Sequence, residues 1–416
     1  MSAALLTPGL RTAKRRLTRL AATMSFNNPN EVVIVSGART PVGNFQGALK
    51  GFTAPQLGVI AVKKALEKAK VNPDLVEELY MGHVIQANVG QSPARQVVIG
   101  AGLPQSTEAT TVNKVCASGM KAITMASQAI QLGHRSVMIA GGMESMSQSP
   151  YYLPRVNPTF GHVQMKDSLL VDGLWDVYND FHMGQAGEKA AKDHQISREM
   201  QDDHAIQTYR RAEEAWKKDA FKEEIAPIEI VDKKGNKTVV DEDEAYKVVK
   251  YEKIPTLKPV FAKDGTITAA NASAFNDGAS AVVLMSTGKA QELGVKPLAK
   301  IVSYADAAIA PEDFPIAPTV ALPLALKKAG LTKDDISLFE INEAFSVVVR
   351  ACEKVLGLDP AKVNIKGGAV ALGHAIGNSG CRIVITLAHS LEPGQYGAAA
   401  VCNGGGGASA IIIQRL

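Results

Sequence analysis

The chain has 416 residues, of which 46% are hydrophobic and 21% charged, a globular composition long enough for two or three core-bearing units. Disordered, collagen-like and coiled-coil chains are excluded, and no apolar run approaches the roughly 20 residues of a membrane span. The formal net charge of +4 sits at the start: Arg11, Lys14, Arg15, Arg16 and Arg19 fall within residues 1–30 without an acid, leaving 40 basic against 41 acidic residues, so no nucleic-acid-binding excess remains.

Residues 1–30 are Arg-rich and acid-free, and Leu10, Leu17 and Leu20 can share one helical face. This is the pattern of a mitochondrial presequence, with a disordered basic tail as the alternative. The chain has four cysteines, Cys116, Cys352, Cys381 and Cys402, and no CxxC pair. That is neither a disulfide scaffold nor a structural zinc pattern.

Residues 31–37 form a short β-branched run ending at Gly37 and predict a buried strand. A helix is predicted over 57–70 and a second strand over 79–84. The segment TVNKVCASG (111–119) follows, then an apolar-periodic helix over 120–132 and a strand over 136–142 ending in two glycines. Alternating strands and helices point to an α/β fold with a largely parallel sheet. Residues 148–268 break the pattern. They are more polar and hold Trp175, Trp216 and half of the histidines. They read as a partly helical insertion outside the sheet. Strand character returns at 279–285, and a fresh α/β series runs from Ile301 to the end. A faint repeat links the two parts. Ser118-Gly119 and Ser379-Gly380 each open a predicted helix, and nineteen residues separate Ser118 from Val137 and Ser379 from Ala398.

Three late segments join Cys116 as candidates for chemistry. A thiolate at a helix N-terminus is stabilised by the macrodipole and becomes a nucleophile. Taken alone, Cys116 also fits a buried, inert thiol, but Ala117-Ser118-Gly119 would leave its sulfur accessible. His374 lies within the glycine-rich NIKGGAVALGHAIGNSG (364–380), a loop that can bring imidazole close to a ligand or another side chain as base or oxyanion donor. Cys402 ends a strand and precedes four glycines; a nucleotide-binding loop is disfavoured because neither GK[ST] nor a helix-opening GxGxxG is present. NEAF (342–345) supplies an amide and a carboxylate after a strand, with a helix cap as the default role for Asn342.

Together, NKVCASGMKAI, NEAF, the GGAVALGH…GNSG loop and CNGGGG match, in order and approximate spacing, the sequence blocks of the thiolase family. The resemblance covers essentially everything after residue 30. The segments VYNDFHMG (177–184), TAANAS (268–273) and DFPIAP (313–318) are most similar to its short-chain, acetoacetyl-CoA branch.

The resemblance implies a thiolase fold, in which two similar halves make an α/β/α/β/α stack. The N-terminal domain would span 31–289, with the inserted loop region at about 148–268, and the C-terminal domain 298–416. It implies reversible condensation of two acetyl-CoA to acetoacetyl-CoA and coenzyme A, with 2-methylacetoacetyl-CoA as a further substrate. No cofactor, nucleic acid or membrane would be involved, and the protein would be a mitochondrial homodimer or homotetramer. Cys116 would carry the acetyl group, Cys402 would move the α-carbon proton, and His374 would activate Cys116. Asn342 would hold a water that completes an oxyanion site with His374, and the N–H groups of Cys116 and Gly404 would form a second one. Coenzyme A would meet Tyr209, Val248, Val249, Lys250, Lys253 and Ser273, while His182, Met183 and Phe314 would border the acyl group. Potassium would be held by the Tyr209 hydroxyl and the carbonyls of Ala269, Ala270, Ala272 and Val370. The sequence departs from the family pattern at Ala375, where proline is usual, and at Val248 and Lys250, where arginine and aspartate are usual.

Overall fold

The computed structural model describes residues 29–155 and 160–416. The predicted presequence lies outside the described residues, apart from Pro29 and Asn30. The first half contains β1 (Val32–Arg39), α1 (Ala54–Ala69), β2 (Glu78–Gly82), α2 (Pro93–Ala101), β3 (Glu108–Val112), α3 (Ser118–Gln131) and β4 (Val137–Ser145). The insertion adds α4 (Met183–Asp193) and α5 (Arg198–Lys217) before β5 (Asn276–Ser286) closes the half. The second half contains β6 (Ala299–Ala308), α6 (Pro318–Ala329), β7 (Ile336–Ile341), α7 (Ser346–Leu356), α8 (Ile376–Ser390), β8 (Tyr396–Asn403) and β9 (Gly407–Arg415).

The strands follow one another across the sheet as β7-β8-β9-β6-β1-β5-β4-β2-β3. Among the described residues the strand pairing between the halves is limited to Val33 with Lys300 and Ile34 with Ala299, on β1 and β6. Pairing is antiparallel at β1–β5, β5–β4, β6–β9 and β8–β9, and parallel at β2–β4, β2–β3 and β7–β8. The sheet is therefore mixed, not largely parallel. The strand that closes each half, β5 or β9, runs against its neighbours, an orientation that strand–helix alternation does not encode.

Three apolar cores show the layering. One packs α1 and α2 on the outer face of the first half, and another packs α6 and α7 on the outer face of the second. The third encloses α3 and α8 between the halves. The halves repeat in detail. Ile-Val-Ser occurs at 34–36 and 301–303, and each copy holds a register shift, in β1 against β5 and in β6 against β9. The hydroxyl of each serine donates to the outer helix, Ser36 to Ala65 O at 2.6 Å and Ser303 to Ala325 O at 2.7 Å.

The two Ser-Gly segments meet at the crossing of α3 and α8. A Cβ on Gly119 would lie 2.8 Å from Cys381 N, and one on Gly380 would lie 2.7 Å from Met120 N. Glycine is needed at both because backbone meets backbone. One expectation is corrected: α8 begins at Ile376 with Ala375 as its cap, so Ser379 lies inside the helix while Ser118 opens α3. The Ser379 hydroxyl instead braces the first turn by donating to Ala375 O at 3.0 Å. The insertion contributes short two-stranded ribbons, α4 and α5, and none of its strands joins the main sheet.

Candidate active site

Cys116 lies in the tight turn between β3 and α3. The turn forces Val115 to φ +48°, a costly conformation for a β-branched residue. Polar contacts hold it there. Asn113 Oδ1 accepts from Val115 N at 2.9 Å, and Ser118 Oγ accepts from Lys114 N at 2.8 Å while donating to Val115 O at 2.6 Å. Lys114 Nζ reaches into the second half, to Asp306 at 2.7 Å and Ser409 Oγ at 2.8 Å. The nucleophile candidate is thus fixed by both halves.

The N–H groups of Cys116 and Gly404 bond the Cys116 sulfur, but burial pushes the thiol up to about 12, and Glu144 adds to the rise. A thiolate stabilised by the helix N-terminus is therefore not the resting state. Loss of solvation outweighs two N–H groups, and the sulfur waits as a thiol that needs a base.

His374 is placed by its backbone. Gly373 takes φ +105°, and His374 N donates to Asn276 Oδ1 at 2.9 Å. A Cβ at position 373 would lie 2.6 Å from Asn276 Cγ, so both the turn and the close approach require glycine. The imidazole Nδ1 lies 2.6 Å from Ser379 Oγ, and Nε2 lies 3.4 Å from Asn342 Nδ2. Because the Ser379 hydroxyl donates to Ala375 O, the network assigns the ring proton to Nδ1. Nε2 then faces the Asn342 amide as an acceptor. Burial, and then the Arg382 charge, push His374 down to about 3, which leaves a neutral ring with a free lone pair. The buried Oδ1 of Asn342 has no protein partner.

Cys402 lies at the end of β8 with its side chain buried. Burial pushes its thiol well up, and the Cys116 sulfur lies near enough to add to the rise. Cys116, His374 and Gly404 line one cavity of about 300 Å³. Cys402 does not line it but is buried in the apolar cluster that includes the lining residues Met183 and Phe314. The imidazole and the Cys116 sulfur face this cavity without a direct hydrogen bond between them.

Residues 32–288 match the family model of the thiolase N-terminal domain, and residues 295–415 match that of the thiolase C-terminal domain. The chain belongs to the thiolase family. A mitochondrial acetyl-CoA acetyltransferase of Gibberella zeae is 56% identical over 93% of this thiolase and 91% of its own length. The mitochondrial acetyl-CoA acetyltransferase of Danio rerio is 57% identical over 93% and 92%. The crystal structure of the Acat5 thiolase from Ascaris suum in complex with coenzyme A superposes with a TM-score of 0.90 at 48% identity, covering 93% of this thiolase and all of that chain.

The rest of this thiolase's cavity is apolar. Met183 and Phe314 line it, as do Ala269, Ala272 and Ser273, whose hydroxyl is spent on Ala344 O at 2.9 Å. His182 also lines it and stacks on Phe261 with centroids 4.7 Å apart, while its Nδ1 accepts from Gly184 N at 3.0 Å. The remaining predicted coenzyme A contacts are not in this cavity. Tyr209 is buried on α5 with Val370, and Val249 packs against that cluster. Val248, Lys250 and Lys253 are exposed on the adjoining segment. Ala270 is buried but lies off the cavity wall.

Two carboxylates hold the thiolase site together, Glu144, which the sequence left without a role, and Glu343, which it showed only as the acid of NEAF. Glu144, buried on β4, accepts from Val84 N at 3.1 Å, Ile85 N at 3.2 Å and, across the halves, Gly377 N at 2.9 Å. Glu343 accepts from Thr208, Asn364 Nδ2 and Val370 N. A Cβ on Gly368 would sit 2.2 Å from its carboxyl carbon. Glu343 therefore ties NEAF to the loop carrying His374.

Ala375 has φ −70°, inside the range that proline imposes. Ala375→Pro is expected to raise stability by about 0.4–1 kcal/mol by narrowing the unfolded ensemble, with acetyl transfer unchanged. Denaturant unfolding and an activity assay check this; a destabilised variant would mean that His374 cannot adopt the extended backbone required before proline.

Proposed function

We propose that this thiolase is a mitochondrial acetyl-CoA C-acetyltransferase, working reversibly through an acetyl-Cys116 intermediate. The observation that carries this reading is that Cys116, His374 and Gly404 line one cavity, with Cys402 buried in the apolar cluster that shares its lining residues Met183 and Phe314. The names of the relatives, acetyl-CoA acetyltransferase and mitochondrial, support the reaction and the location. Residues 1–30 would be the presequence, 31–289 the N-terminal domain with its insertion at about 148–268, and 298–416 the C-terminal domain.

In the first half-reaction His374 Nε2 takes the Cys116 proton as the sulfur attacks the thioester carbon. The developing oxyanion is held by the N–H groups of Cys116 and Gly404, a kind of donor worth roughly 3–4 kcal/mol each in the transition state. The intermediate collapses, and the departing CoA sulfur takes its proton from Cys402. Acetyl-Cys116, imidazolium and the Cys402 thiolate remain. In the second half-reaction Cys402 removes a methyl proton from another acetyl-CoA. The enolate oxygen rests on the Nε2–H of His374 and a water held by Asn342. The carbon attacks acetyl-Cys116, and the released sulfur takes its proton back from His374. Two thiols are needed because the first is blocked as a thioester when carbon must be deprotonated.

Coenzyme A would run from the cavity past Ser273 toward Tyr209, Val248, Val249, Lys250 and Lys253, with Lys253 as a point charge for phosphate. Met183, His182 and Phe314 would keep the acyl group short. The Tyr209 hydroxyl and the carbonyls of Ala269, Ala270, Ala272 and Val370 would supply an oxygen-only donor set, the kind that suits potassium as a hard cation. Homodimeric or homotetrameric assembly fits the general prevalence of symmetric oligomers.

Thiolysis should be faster with acetoacetyl-CoA than with a C12 ketoacyl-CoA, and potassium should accelerate it. Parallel assays, including 2-methylacetoacetyl-CoA, test this. Faster C12 cleavage would replace the short-chain assignment with a long-chain one.

A further inference from the structure

The two N–H groups that bond the Cys116 sulfur come from loops in different halves. Cys116 sits in the turn between β3 and α3, and Gly404 in the hairpin turn between β8 and β9. Two donors serve one oxygen only when they are held in close mutual register. Neither loop is regular structure. The first carries Val115 at φ +48°, and the second carries Gly405 and Gly406, both at φ +80°. The strand pairing between the halves, at Val33 with Lys300 and Ile34 with Ala299, lies about 20 Å down β6 from Asp306 at the rise of a strand. The crossing of α3 and α8 fixes Gly119 but does not reach the hairpin turn.

One side-chain network spans the gap. Lys114, on the Cys116 turn, donates through Nζ to Asp306 Oδ1 at 2.7 Å, Ser409 Oγ at 2.8 Å and Ala408 O at 3.2 Å. Those acceptors match the three donors of an ammonium. Ser409 Oγ donates its own hydrogen to Asp306 Oδ1 at 2.5 Å, and Lys121 Nζ holds Asp306 Oδ2 at 2.7 Å. Asp306 pairs with Ser409 across β6 and β9, and Ala408 pairs with Cys402 across β9 and β8. The acceptors therefore belong to the strands that carry the hairpin. Apart from the Gly404 N–H bond to the Cys116 sulfur, Lys114 makes every hydrogen bond between the two loops among the described residues.

We propose that Lys114 and Asp306 are positioning residues for the oxyanion site: with Ser409 they clamp the Cys116 turn to the Gly404 hairpin and so set the spacing of the two N–H donors. This rests on the role proposed above for those donors. Stability is a poor explanation for the network. The Lys114 side chain is 25% exposed and that of Asp306 36%, and ion pairs open to water add little to stability. Burial would push Asp306 up, but the hydrogen bonds from Lys114, Lys121 and Ser409 outweigh it and hold the group down to about 2. The clamp is thus charged throughout the neutral range.

The test compares Lys114→Met, Asp306→Asn and Lys121→Met with the wild type in two readouts. One is the quench-flow rate of Cys116 acetylation at saturating acetyl-CoA, read by intact mass. The other is the infrared stretching frequency of the isotope-labelled acetyl carbonyl on Cys116. Hydrogen bonds to a thioester oxygen polarise the carbonyl and lower its frequency, so this readout reports the N–H pair directly. Lys114→Met and Asp306→Asn should each slow acetylation by about 10–100-fold. Both should move the carbonyl toward the frequency of a free acetyl thioester, with coenzyme A affinity within a few-fold of wild type. The double variant should lose little more than the worse single, because both substitutions open the same clamp. Lys121→Met removes a similarly exposed ammonium from the same carboxylate but no contact to the hairpin. It should stay within about threefold of the wild-type rate, with the carbonyl unmoved. A merely structural role would lower the melting temperature and leave the carbonyl where it is. If Asp306→Asn fails to fold, Lys114→Met carries both readouts. An unmoved carbonyl or an unchanged rate in Lys114→Met, or an equal shift in Lys121→Met, would overturn the proposal. A wild-type carbonyl at the free-thioester frequency, or no acetyl-Cys116 in the wild type, would instead overturn the proposed function.

Discussion

Cys402→Ala is expected to become acetylated on Cys116 yet to lose carbon–carbon bond formation by ~10³-fold or more, the upper part of the range for a positioned acid–base group. Cys116 has its own base candidate in His374, and the N–H groups of Cys116 and Gly404 remain when the Cys402 side chain is cut back. Acyl transfer therefore survives, slowed because CoA must find its proton elsewhere. No other described thiol can replace Cys402 at the α-carbon. Cys402 is two residues from Gly404, which lines the cavity, whereas Cys352 lies within α7 and Cys381 within α8. Intact mass after exposure to acetyl-CoA reads the first step, and acetoacetyl-CoA formation reads the second. Unchanged condensation would remove Cys402 from the carbon chemistry, whereas loss of acetylation equal to that in a Cys116 variant would erase the distinction between the two thiols.

Cys116→Ala is expected to abolish both steps, with no covalent acetyl on the protein. Cys402 is not expected to take over as nucleophile, because the N–H groups placed to hold the oxyanion are those at the Cys116 sulfur. Residual turnover should fall by at least ~10⁴-fold, because binding and oxyanion donors remain but the covalent path does not. Cavity-lined binding should persist, so coenzyme A affinity measured calorimetrically should stay within a few-fold of wild type. An acetyl group found on Cys402 would overturn the assignment of the nucleophile.

Much of the site was legible in the sequence because its parts are local. Cys116 beside small residues, His374 among glycines and Cys402 before four glycines each carry a mark of close approach, and the structure assembles their loops around one cavity. The repeat at Ser118-Gly119 and Ser379-Gly380 was legible for the same reason, since two backbones in contact exclude side chains. Other features depended on partners far along the chain. Nothing local in the sequence shows that Glu144 will meet Gly377 from the other half, or that Arg382 will be buried. The helix after Cys116 argued for an anionic sulfur, but the depth at which that helix is packed reverses the conclusion.

The sequence by itself determined the family, the two-part α/β plan and the residues that bear sulfur, imidazole and amide, because residue type and short-range spacing carry that information. Only the tertiary structure decided strand direction, protonation state and which charges the two halves bring together. Those depend on desolvation and on through-space electrostatics between segments hundreds of residues apart, and neither quantity exists until the two halves have closed on each other.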